Sequence, residues 1–515
     1  MCVLCGPEFF FDFGIFFQAT FLKICVIKEV LHLLEIAAKF NTQMDVFYPY
    51  IDGAFRESAL PHEVLSPYDG AVVGTSFFAD QEMVEEAIDA AVRCREAAAD
   101  LPVYRRYESL MFIAEQISRK QDEFVSLICR EAAKPFKYSL SEVRRAVEVF
   151  RAAAEESKRI PGEYLSLDHT PAGAGKEGWV KYFPIGPVAG ISPFNFPLNL
   201  AVHKIAPAIA AGCSIVLKPS SLTPLSTLAL ARIIAAAELP RGMINIIPSK
   251  RQAGDLLVTD PRIRLLSFTG SAEVGWDMKA RSGRKRVVLE LGGNAGMIIA
   301  PSADLKQAVQ KALVGGFSYT GQVCIHTQRI FVHVSVFDEF LSLFVEGVRS
   351  LKFGDPLDPS TDISVMIDQE NAERVEQWVN EALAGHARLI CGGTRRGSYY
   401  EPTVITGARP GMKIRDEEVF GPVVLVDSYE DFDEAIAEIN NSRYGLQAGL
   451  FTRDMQEINR AFRKLEVGGL IINDAPTFRV DHMPYGGVKD SGFGREGVKY
   501  AMLDMLEPKI LVKEY

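Results

Sequence analysis

Cysteine is scarce in this sequence, with eight residues in a chain of 515. Cys2, Cys5 and Cys25 lie close to the start, and the other five are far apart: Cys94, Cys129, Cys213, Cys324 and Cys391. This spacing gives no disulfide framework and indicates a reducing compartment, so we expect a cytoplasmic protein. The Cys2–Cys5 pair has no second pair to complete a metal site, and the histidines show no metal-ligand spacing. We therefore expect no metal.

A long apolar run is also lacking. Seven Phe residues fall between Phe9 and Phe21, but Asp12 and Lys23 interrupt the stretch. Because a spanning helix needs about 20 apolar residues, we expect no stable membrane insertion. The stretch also lacks the basic start and the cleavage site of a signal peptide. We interpret residues 1–43 as an atypical N-terminal extension, such as an over-extended reading frame, with a membrane-associating segment as the alternative.

Positive charge is in deficit. The chain has 56 Lys and Arg against 66 Asp and Glu, which gives a net charge of −10. This balance argues against a nucleic-acid binder that relies on phosphate contacts. A hydrophobic share of 48% is typical of globular proteins and excludes overall disorder.

Buried strands alternate with helices between residues 188 and 293. The patterns predict helices at 198–211, 225–237, 252–258 and from 271, between strands at 188–191, 214–218, 243–247, 264–268 and 287–291. Continuous apolar strands separated by helices predict a parallel sheet with both faces covered. Ligands bind such sheets beyond the carboxyl ends of the strands, which is where the polar motifs lie.

These motifs form an ordered set along the chain. Asn195 lies in Ile-Ser-Pro-Phe-Asn-Phe-Pro, Lys218 precedes Pro-Ser-Ser, and Gly270 opens Gly-Ser-Ala-Glu-Val-Gly. Glu290 precedes Leu-Gly-Gly, and Cys324 follows Thr-Gly-Gln-Val, 34 residues later (324 − 290 = 34). Two further segments are Glu418-Val-Phe-Gly-Pro and Pro484-Tyr-Gly-Gly-Val-Lys. In order and spacing, residues 47–515 resemble the NAD(P)-dependent aldehyde dehydrogenase superfamily, and most closely its lactaldehyde and succinate-semialdehyde dehydrogenases.

The resemblance implies an α/β fold with three parts. A Rossmann-type parallel-sheet cofactor domain would comprise residues 44–165 and 185–291, and an α/β catalytic domain residues 292–495. Residues 166–184 and 496–515 would form a small β oligomerisation arm and tail. We therefore expect a homodimer or homotetramer.

The resemblance also assigns catalytic roles. Cys324 is expected to be the nucleophile, because a thiolate can attack an aldehyde and later leave from a thioester. Asn195 would stabilise the developing oxyanion, with the Cys324 backbone N–H as the second donor. Glu290 would be the general base for hydrolysis, which favours a free carboxylic acid as product.

Cofactor binding is assigned to a larger set. The helix that opens after Gly270 presents backbone N–H groups to a phosphate. Lys218 resembles the residue that binds the adenosine ribose, and Ser221 stands where NAD-preferring members often have Glu, so NADP is favoured over NAD. The expected cofactor contacts are Ile191, Ser192, Pro193, Phe194, Lys218, Ser220, Ser221, Gly254, Phe268, Gly270, Ser271, Val274, Leu291, Gly292, Glu418 and Phe420.

The substrate is expected to be a small polar or anionic aldehyde. Arg145 and Arg479 are suited to carboxylate or phosphate recognition, although each can equally be a structural ion pair. Among such aldehydes, succinate semialdehyde and lactaldehyde are the two substrates that we expect first. A non-phosphorylating glyceraldehyde-3-phosphate dehydrogenase and a catalytically silent binding or structural homologue are the alternatives.

Overall fold

Short apolar strands in the middle of the chain form the centre of a parallel sheet, as their patterning predicts. The structure is a computed structural model that describes residues 45–515. The extension at residues 1–43 lies outside the described residues. No helix among residues 45–515 combines the length and the apolarity that crossing a bilayer requires.

The strands of the described part are numbered in chain order. They are β1 (Tyr50–Ile51), β2 (Ala54–Phe55), β3 (Pro61–Leu65), β4 (Val72–Phe77), β5 (Gly162–Ser166), β6 (Lys176–Pro184), β7 (Val188–Ile191), β8 (Ile215–Lys218), β9 (Ile244–Ile246), β10 (Leu265–Thr269), β11 (Arg286–Glu290), β12 (Ala295–Ile299), β13 (Thr327–His333), β14 (Arg388–Cys391), β15 (Arg395–Arg396), β16 (Tyr399–Tyr400), β17 (Thr403–Thr406), β18 (Val423–Tyr429), β19 (Tyr444–Gly445), β20 (Gln447–Phe451), β21 (Gly469–Ile472), β22 (Val488–Lys489), β23 (Gly492–Phe493) and β24 (Leu506–Glu514).

The α-helices are numbered in the same way. They are α1 (Gln81–Arg93), α2 (Arg95–Asp100), α3 (Val103–Arg119), α4 (Gln121–Ala132), α5 (Phe136–Ser157), α6 (Asn199–Ala211), α7 (Leu225–Ile234), α8 (Arg251–Gly254), α9 (Leu256–Thr259), α10 (Ala272–Arg281), α11 (Leu305–Phe317), α12 (Phe337–Ser350), α13 (Gln369–Ala384), α14 (Lys413–Asp416), α15 (Phe432–Asn440), α16 (Met455–Lys464) and α17 (Val498–Asp504).

The first sheet has eight strands in the order β2-β1-β9-β8-β7-β10-β11-β23. Its five central strands are parallel, and the register pairs Ile191 with both Lys218 and Phe268, and Thr269 with Glu290. Because parallel strands end at one edge, four of the motifs are brought to the same side of the sheet. The predicted α/β class is confirmed.

A second sheet of seven strands has the order β14-β17-β18-β13-β12-β20-β21 and carries the later motifs. Its strands are parallel except for the edge strand β14. A separate antiparallel sheet has the order β24-β6-β5 and joins the end of the chain to residues 162–184.

Local signals set the helix ends. Asp80 caps α1 because its side chain accepts a hydrogen bond from the Met83 N–H at 2.9 Å. Gly212 ends α6 with a φ of 80°, a conformation that suits glycine. The segment predicted as one helix at 252–258 forms two short helices instead, α8 and α9, with Asp255 between them.

Candidate active site

A cavity of about 460 Å³ lies beyond the carboxyl ends of β7, β10 and β11. It brings together most of the residues that the motifs identify. Among those that line it are Pro193, Phe194, Asn195, Gly270, Ser271, Glu290, Leu291, Gly292, Cys324, Glu418 and Phe420. Residues separated by more than 200 positions therefore share one cleft.

Cys324 enters this cleft from a tight turn. Gly321 has a φ of 70°, and a Cβ there would lie 2.1 Å from the Gly421 carbonyl oxygen, so only glycine fits. The Cys324 Sγ lies 3.0 Å from the Tyr485 hydroxyl oxygen. Burial raises the pKa of the Cys324 thiol to about 11, while the Tyr485 hydrogen bond and the Arg479 charge act in the opposite direction.

Asn195 is held rigidly next to the turn that leads to Cys324. Its Nδ2 donates to the Gln322 carbonyl oxygen at 2.9 Å, which leaves the second hydrogen of the amide available. Its own backbone carbonyl accepts from Lys134 Nζ at 2.7 Å, and Lys134 forms a buried ion pair with Glu142 at 2.5 Å. One hydrogen bond thus orients the side-chain amide and another holds the backbone that carries it, as a preorganised oxyanion donor requires.

Glu290 is buried with one carboxylate oxygen engaged. Its Oε1 accepts from the Glu496 backbone N–H at 3.1 Å, and its Oε2 has no partner among the described residues. Burial first, and then the charge of Glu496, raises the pKa of Glu290 well above its ordinary value. A carboxyl with a raised pKa and a free oxygen suits a group that exchanges a proton with water.

Another part of the cleft lining holds Phe194, Glu418 and Phe420, which are expected to contact the cofactor. Glu418 accepts from the Gly293 N–H at 3.0 Å, and a Cβ at Gly292 would lie 2.2 Å from Glu418 Oε2. The Phe194 and Phe420 rings meet edge to face, with centroids 5.9 Å apart. Glycine is therefore required at position 292 so that the Glu418 carboxylate can lie against the backbone.

Lys218 provides a cation without a counter-charge. It has no hydrogen-bond or ion-pair partner within residues 45–515, and burial lowers its pKa to about 8. A Cβ at Gly254 would lie 2.8 Å from Lys218 Cδ, so this glycine makes room for the lysine. The unpaired ammonium and the glycine backbone fit a ribose or phosphate, and the site therefore suits the expected cofactor.

Several other predicted contacts do not line the cleft. Ser221 Oγ donates to the Ser249 carbonyl at 3.4 Å, and the Ser221 carbonyl lies 2.8 Å from His62 Nε2. Phe268 packs under Gly270, where a Cβ would lie 2.5 Å from its ring. Residues outside the cleft lining are Ile191, Ser192, Lys218, Ser220, Ser221, Gly254, Phe268 and Val274.

Arg145 and Arg479 lie in a network of ion pairs beside a second cavity of about 610 Å³. Arg145 forms a bidentate pair with Asp481, at 3.0 and 2.6 Å. Arg479 Nη2 donates to Glu496 Oε2 at 2.9 Å. The Arg479 guanidinium carbon also lies 3.7 Å from the centre of the Tyr485 ring. Both arginines therefore have structural partners and also border a cavity.

Four residues with contacts in the site have no role in the sequence interpretation: Lys134, Lys204, Tyr485 and Glu496. Lys204 donates to Thr269 Oγ1 at 2.8 Å and to Glu496 at 3.4 Å. The sequence feature that could have identified Lys204 is the presence of a lysine within α6, a helix whose residues are all buried. Tyr485 stands inside a recognised motif, but nothing in the sequence places its hydroxyl on Cys324.

The comparisons with known proteins agree with this geometry. The model of the aldehyde dehydrogenase family matches residues 55–511. The 3-sulfolactaldehyde dehydrogenase of Priestia aryabhattai is 40% identical over 473 residues, which cover 92% of this chain and 98% of the relative. The lactaldehyde dehydrogenase of Methanococcus aeolicus is 40% identical over 457 residues, which cover 87% and 96%.

Solved structures are similar over nearly the same length. Aldehyde dehydrogenase 21 from Physcomitrella patens, in complex with the reaction product succinate, is 45% identical with a TM-score of 0.90. The match covers 92% of this chain and 99% of that one. Other similar structures hold NADP or NAD, which supports a nicotinamide cofactor.

Proposed function

The chain belongs to the aldehyde dehydrogenase family, and we propose that it oxidises a small aldehyde with an anionic far end to the free carboxylic acid. One observation carries this proposal. The Tyr485 hydroxyl touches Cys324 Sγ at 3.0 Å, and the Arg479 guanidinium lies on the same Tyr485 ring at 3.7 Å. A cation therefore stands one aromatic ring away from the reactive sulfur.

Cys324 begins the reaction by attacking the aldehyde carbon. A sulfur–carbon bond forms, and the carbonyl electron pair moves to the oxygen, where Asn195 Nδ2 and the Cys324 backbone N–H donate hydrogen bonds. A nicotinamide cofactor, when bound, would supply the acceptor for the hydride that the tetrahedral adduct loses on becoming a thioester. Glu290 then takes a proton from the water that attacks the thioester, and the Cys324 thiolate leaves.

The second cavity has the charge that an anionic substrate needs. Arg479 is 6% exposed and Arg145 is 25% exposed, so both are largely removed from water. Arg144 also lines this cavity, is exposed, and has no hydrogen-bond or ion-pair partner among residues 45–515. Asp481 and Glu496 offset part of the positive charge of these arginines, and Arg144 adds a further positive charge.

Relatives support an anionic substrate. Succinate, named as the reaction product in the Physcomitrella patens structure, is a dicarboxylate, so an aldehyde oxidised to it carries a carboxylate at its far end. The substrate named for the Priestia relative, 3-sulfolactaldehyde, carries a sulfonate there. Lactaldehyde, named for another relative, carries none. We therefore place succinate semialdehyde first, with lactaldehyde as the uncharged alternative.

Arg479→Ala tests the substrate class. A hydrogen bond to a charged partner contributes about 1.5–3 kcal/mol, so we expect kcat/KM for succinate semialdehyde to fall about 10- to 100-fold. Butanal has a similar length and no charge, and it should lose far less. Because Arg479 also contacts Glu496 and Tyr485, its removal can disturb the site itself. The change in kcat/KM for butanal measures that structural effect. Equal losses for both aldehydes would remove Arg479 from the substrate site and favour lactaldehyde.

We also propose the cofactor and the domain boundaries of this chain. NADP is favoured over NAD because Ser221 places no carboxylate beside Lys218 to repel a 2′-phosphate. Residues 44–165 and 185–291 are proposed as the cofactor domain, residues 292–495 as the catalytic domain, and residues 166–184 and 496–515 as the arm and tail. The cytoplasmic location rests on the cysteine pattern and stays a prediction.

A further inference from the structure

The hydroxyl group of Tyr485 has one partner, and that partner is the reactive sulfur. Tyr485 is 3% exposed, and within residues 45–515 its hydroxyl forms a hydrogen bond with Cys324 alone. A buried phenol hydroxyl is normally satisfied by a backbone or side-chain oxygen. Tyr319 in the same hydrophobic cluster follows that rule, because its hydroxyl donates to the Ala132 carbonyl at 2.9 Å.

Tyr485 is fixed in this position by its backbone and by its ring. Its N–H donates to the Glu496 carbonyl at 3.0 Å, and the Glu496 N–H donates to the Tyr485 carbonyl at 2.6 Å. The Arg479 guanidinium covers one face of the ring, and Glu496 in turn holds that guanidinium at 2.9 Å. A cation on the ring face withdraws electron density from the phenol and makes its O–H a stronger donor.

The direction of the hydrogen bond changes when the thiol ionises. While both groups are protonated, either can donate. Once Cys324 has lost its proton, only the Tyr485 hydroxyl carries a hydrogen between the two atoms, so it must donate to the sulfur. Hydrogen bonds to a charged acceptor are about twice as strong as neutral ones, and the bond therefore favours the thiolate.

We propose that Tyr485 is a catalytic residue whose hydroxyl donates to the Cys324 thiolate and thereby increases the fraction of enzyme that is ready to attack the aldehyde. This inference rests on the proposed role of Cys324 as the nucleophile. Tyr485 transfers no proton in this role. When the sulfur–carbon bond forms, negative charge leaves the sulfur for the carbonyl oxygen, and the hydrogen bond from Tyr485 weakens.

The size of the effect follows from two opposing tendencies. A hydrogen bond to a charged group shifts a pKa by about 1–2 units. A thiolate of lower pKa is also a weaker nucleophile, with a Brønsted coefficient of about 0.4–0.5. Between about 50% and 60% of the logarithmic gain in thiolate fraction therefore remains below the thiol pKa, so the rate should be about 3- to 16-fold higher with the hydroxyl than without it.

Tyr485→Phe removes the hydroxyl and keeps the ring. Alkylation of Cys324 by iodoacetamide, measured by mass spectrometry of the peptide that contains Cys324, should be about 3- to 16-fold slower below the thiol pKa. The thiolate absorbance at about pH 10, taken as the difference from Cys324→Ala, should fall about 10- to 100-fold. Tyr319→Phe is the matched control, and its alkylation rate should stay within about twofold of that of the wild type.

A second variant keeps the shape of the residue intact. A tyrosine analogue fluorinated on the ring, incorporated at position 485, donates more strongly and should move the thiolate absorbance to lower pH. Opposite shifts for the phenylalanine and the fluorinated variants support the proposal, because a role in packing alone moves neither. Unchanged thiolate titration in both variants would overturn it, and so would an equal loss of alkylation in Tyr319→Phe.

The outcome for Tyr485 is separable from that for the proposed function. If Cys324→Ala retained turnover within tenfold of the wild type, the nucleophile assignment would be wrong, whatever the titration showed. If Cys324→Ala were inactive but substitution of Tyr485 did not change the titration of Cys324, the assignment of Cys324 as the nucleophile would remain. The proposed role of Tyr485 would be refuted.

Discussion

Glu290 lies in surroundings that favour its neutral form, and this affects the hydrolysis step. Its pKa is raised by burial and by the charge of Glu496, so at a given pH a larger fraction of Glu290 is protonated than of an exposed glutamate. Deacylation should therefore accelerate as pH rises, by up to about tenfold per unit until the Glu290 pKa is reached. We expect steady-state kcat to show this rise on the acid side of its pH profile.

Glu290→Gln should separate acylation from deacylation. The variant keeps Cys324 and should give one burst of reduced cofactor per site, followed by slow turnover without the dependence on pH described above. Rapid-mixing measurements of cofactor absorbance check both phases. Loss of the burst itself would assign Glu290 to a step before the thioester.

Ser221 controls the cofactor preference in our interpretation. Ser221→Glu places a carboxylate on the loop after β8. There it would accept a hydrogen bond from a ribose 2′-hydroxyl and repel a 2′-phosphate. The kcat/KM for NADP should fall more than that for NAD. Leu222→Glu adds the same charge at an exposed position of the same loop and should change the ratio less. An unchanged ratio in Ser221→Glu would show that Ser221 does not face the 2′ position.

The motifs predicted the residues of the cleft but not their surroundings. Asn195, Glu290 and Cys324 converge because each stands beside a strand end or a turn that the sequence marks with glycine or proline. Arg479 was expected either to recognise an anionic group or to form a structural ion pair. It borders a cavity and pairs with Glu496, and its further partner His203 lies 276 residues away. Pairing between distant side chains depends on the completed fold, so the sequence could not predict it.

At the level of elements, the sequence located the central strands to within one or two residues. Their apolar runs are continuous because both faces are covered, which makes them easy to recognise. The antiparallel strands β1, β2 and β23 were not predicted, because each has only two residues and too short a pattern. They are added to the sheet by contacts from distant parts of the chain.

The Lys134–Glu142 pair connects α5 to the start of α6. Glu142 Oε1 accepts from the N–H groups of Leu198 and Asn199, while its Oε2 accepts from Lys134. Lys134→Met would leave the Glu142 charge buried without its cation, and we expect a loss of about 3–5 kcal/mol in the free energy of unfolding. Urea denaturation of the wild type and of the variant under the same conditions measures this loss.

Lys137→Met is the control for this substitution. Lys137 pairs with Asp362 at the surface, where both side chains are partly exposed, so its loss should cost no more than about 1 kcal/mol. Equal small losses in the two variants would mean that the buried pair contributes no more than a surface pair. The comparison also isolates the effect on Asn195, whose carbonyl Lys134 holds and Lys137 does not contact.

For the whole molecule, the three-stranded sheet β24-β6-β5 suggests how copies of the chain associate. Five of its apolar side chains are between 41% and 56% exposed: Trp179, Phe183, Ile510, Leu511 and Val512. The outer edges of β5 and β24 are unpaired within the described part of the chain. Apolar surface and free strand edges of this kind are typical of interfaces, and we expect a homodimer or a homotetramer.

Leu511→Glu tests this association at the centre of the exposed surface. Leu511 is the register partner of Trp179, so a carboxylate there would lie beside the indole and would be costly to bury against a second copy. Light scattering at micromolar protein should give a dimer or larger species for the wild type and a shift toward monomer for Leu511→Glu. Lys306→Glu, on α11, exchanges one exposed charge for another outside this sheet and should retain the assembly. A monomeric wild type would contradict the prediction, and the exposed side chains would then need no partner copy.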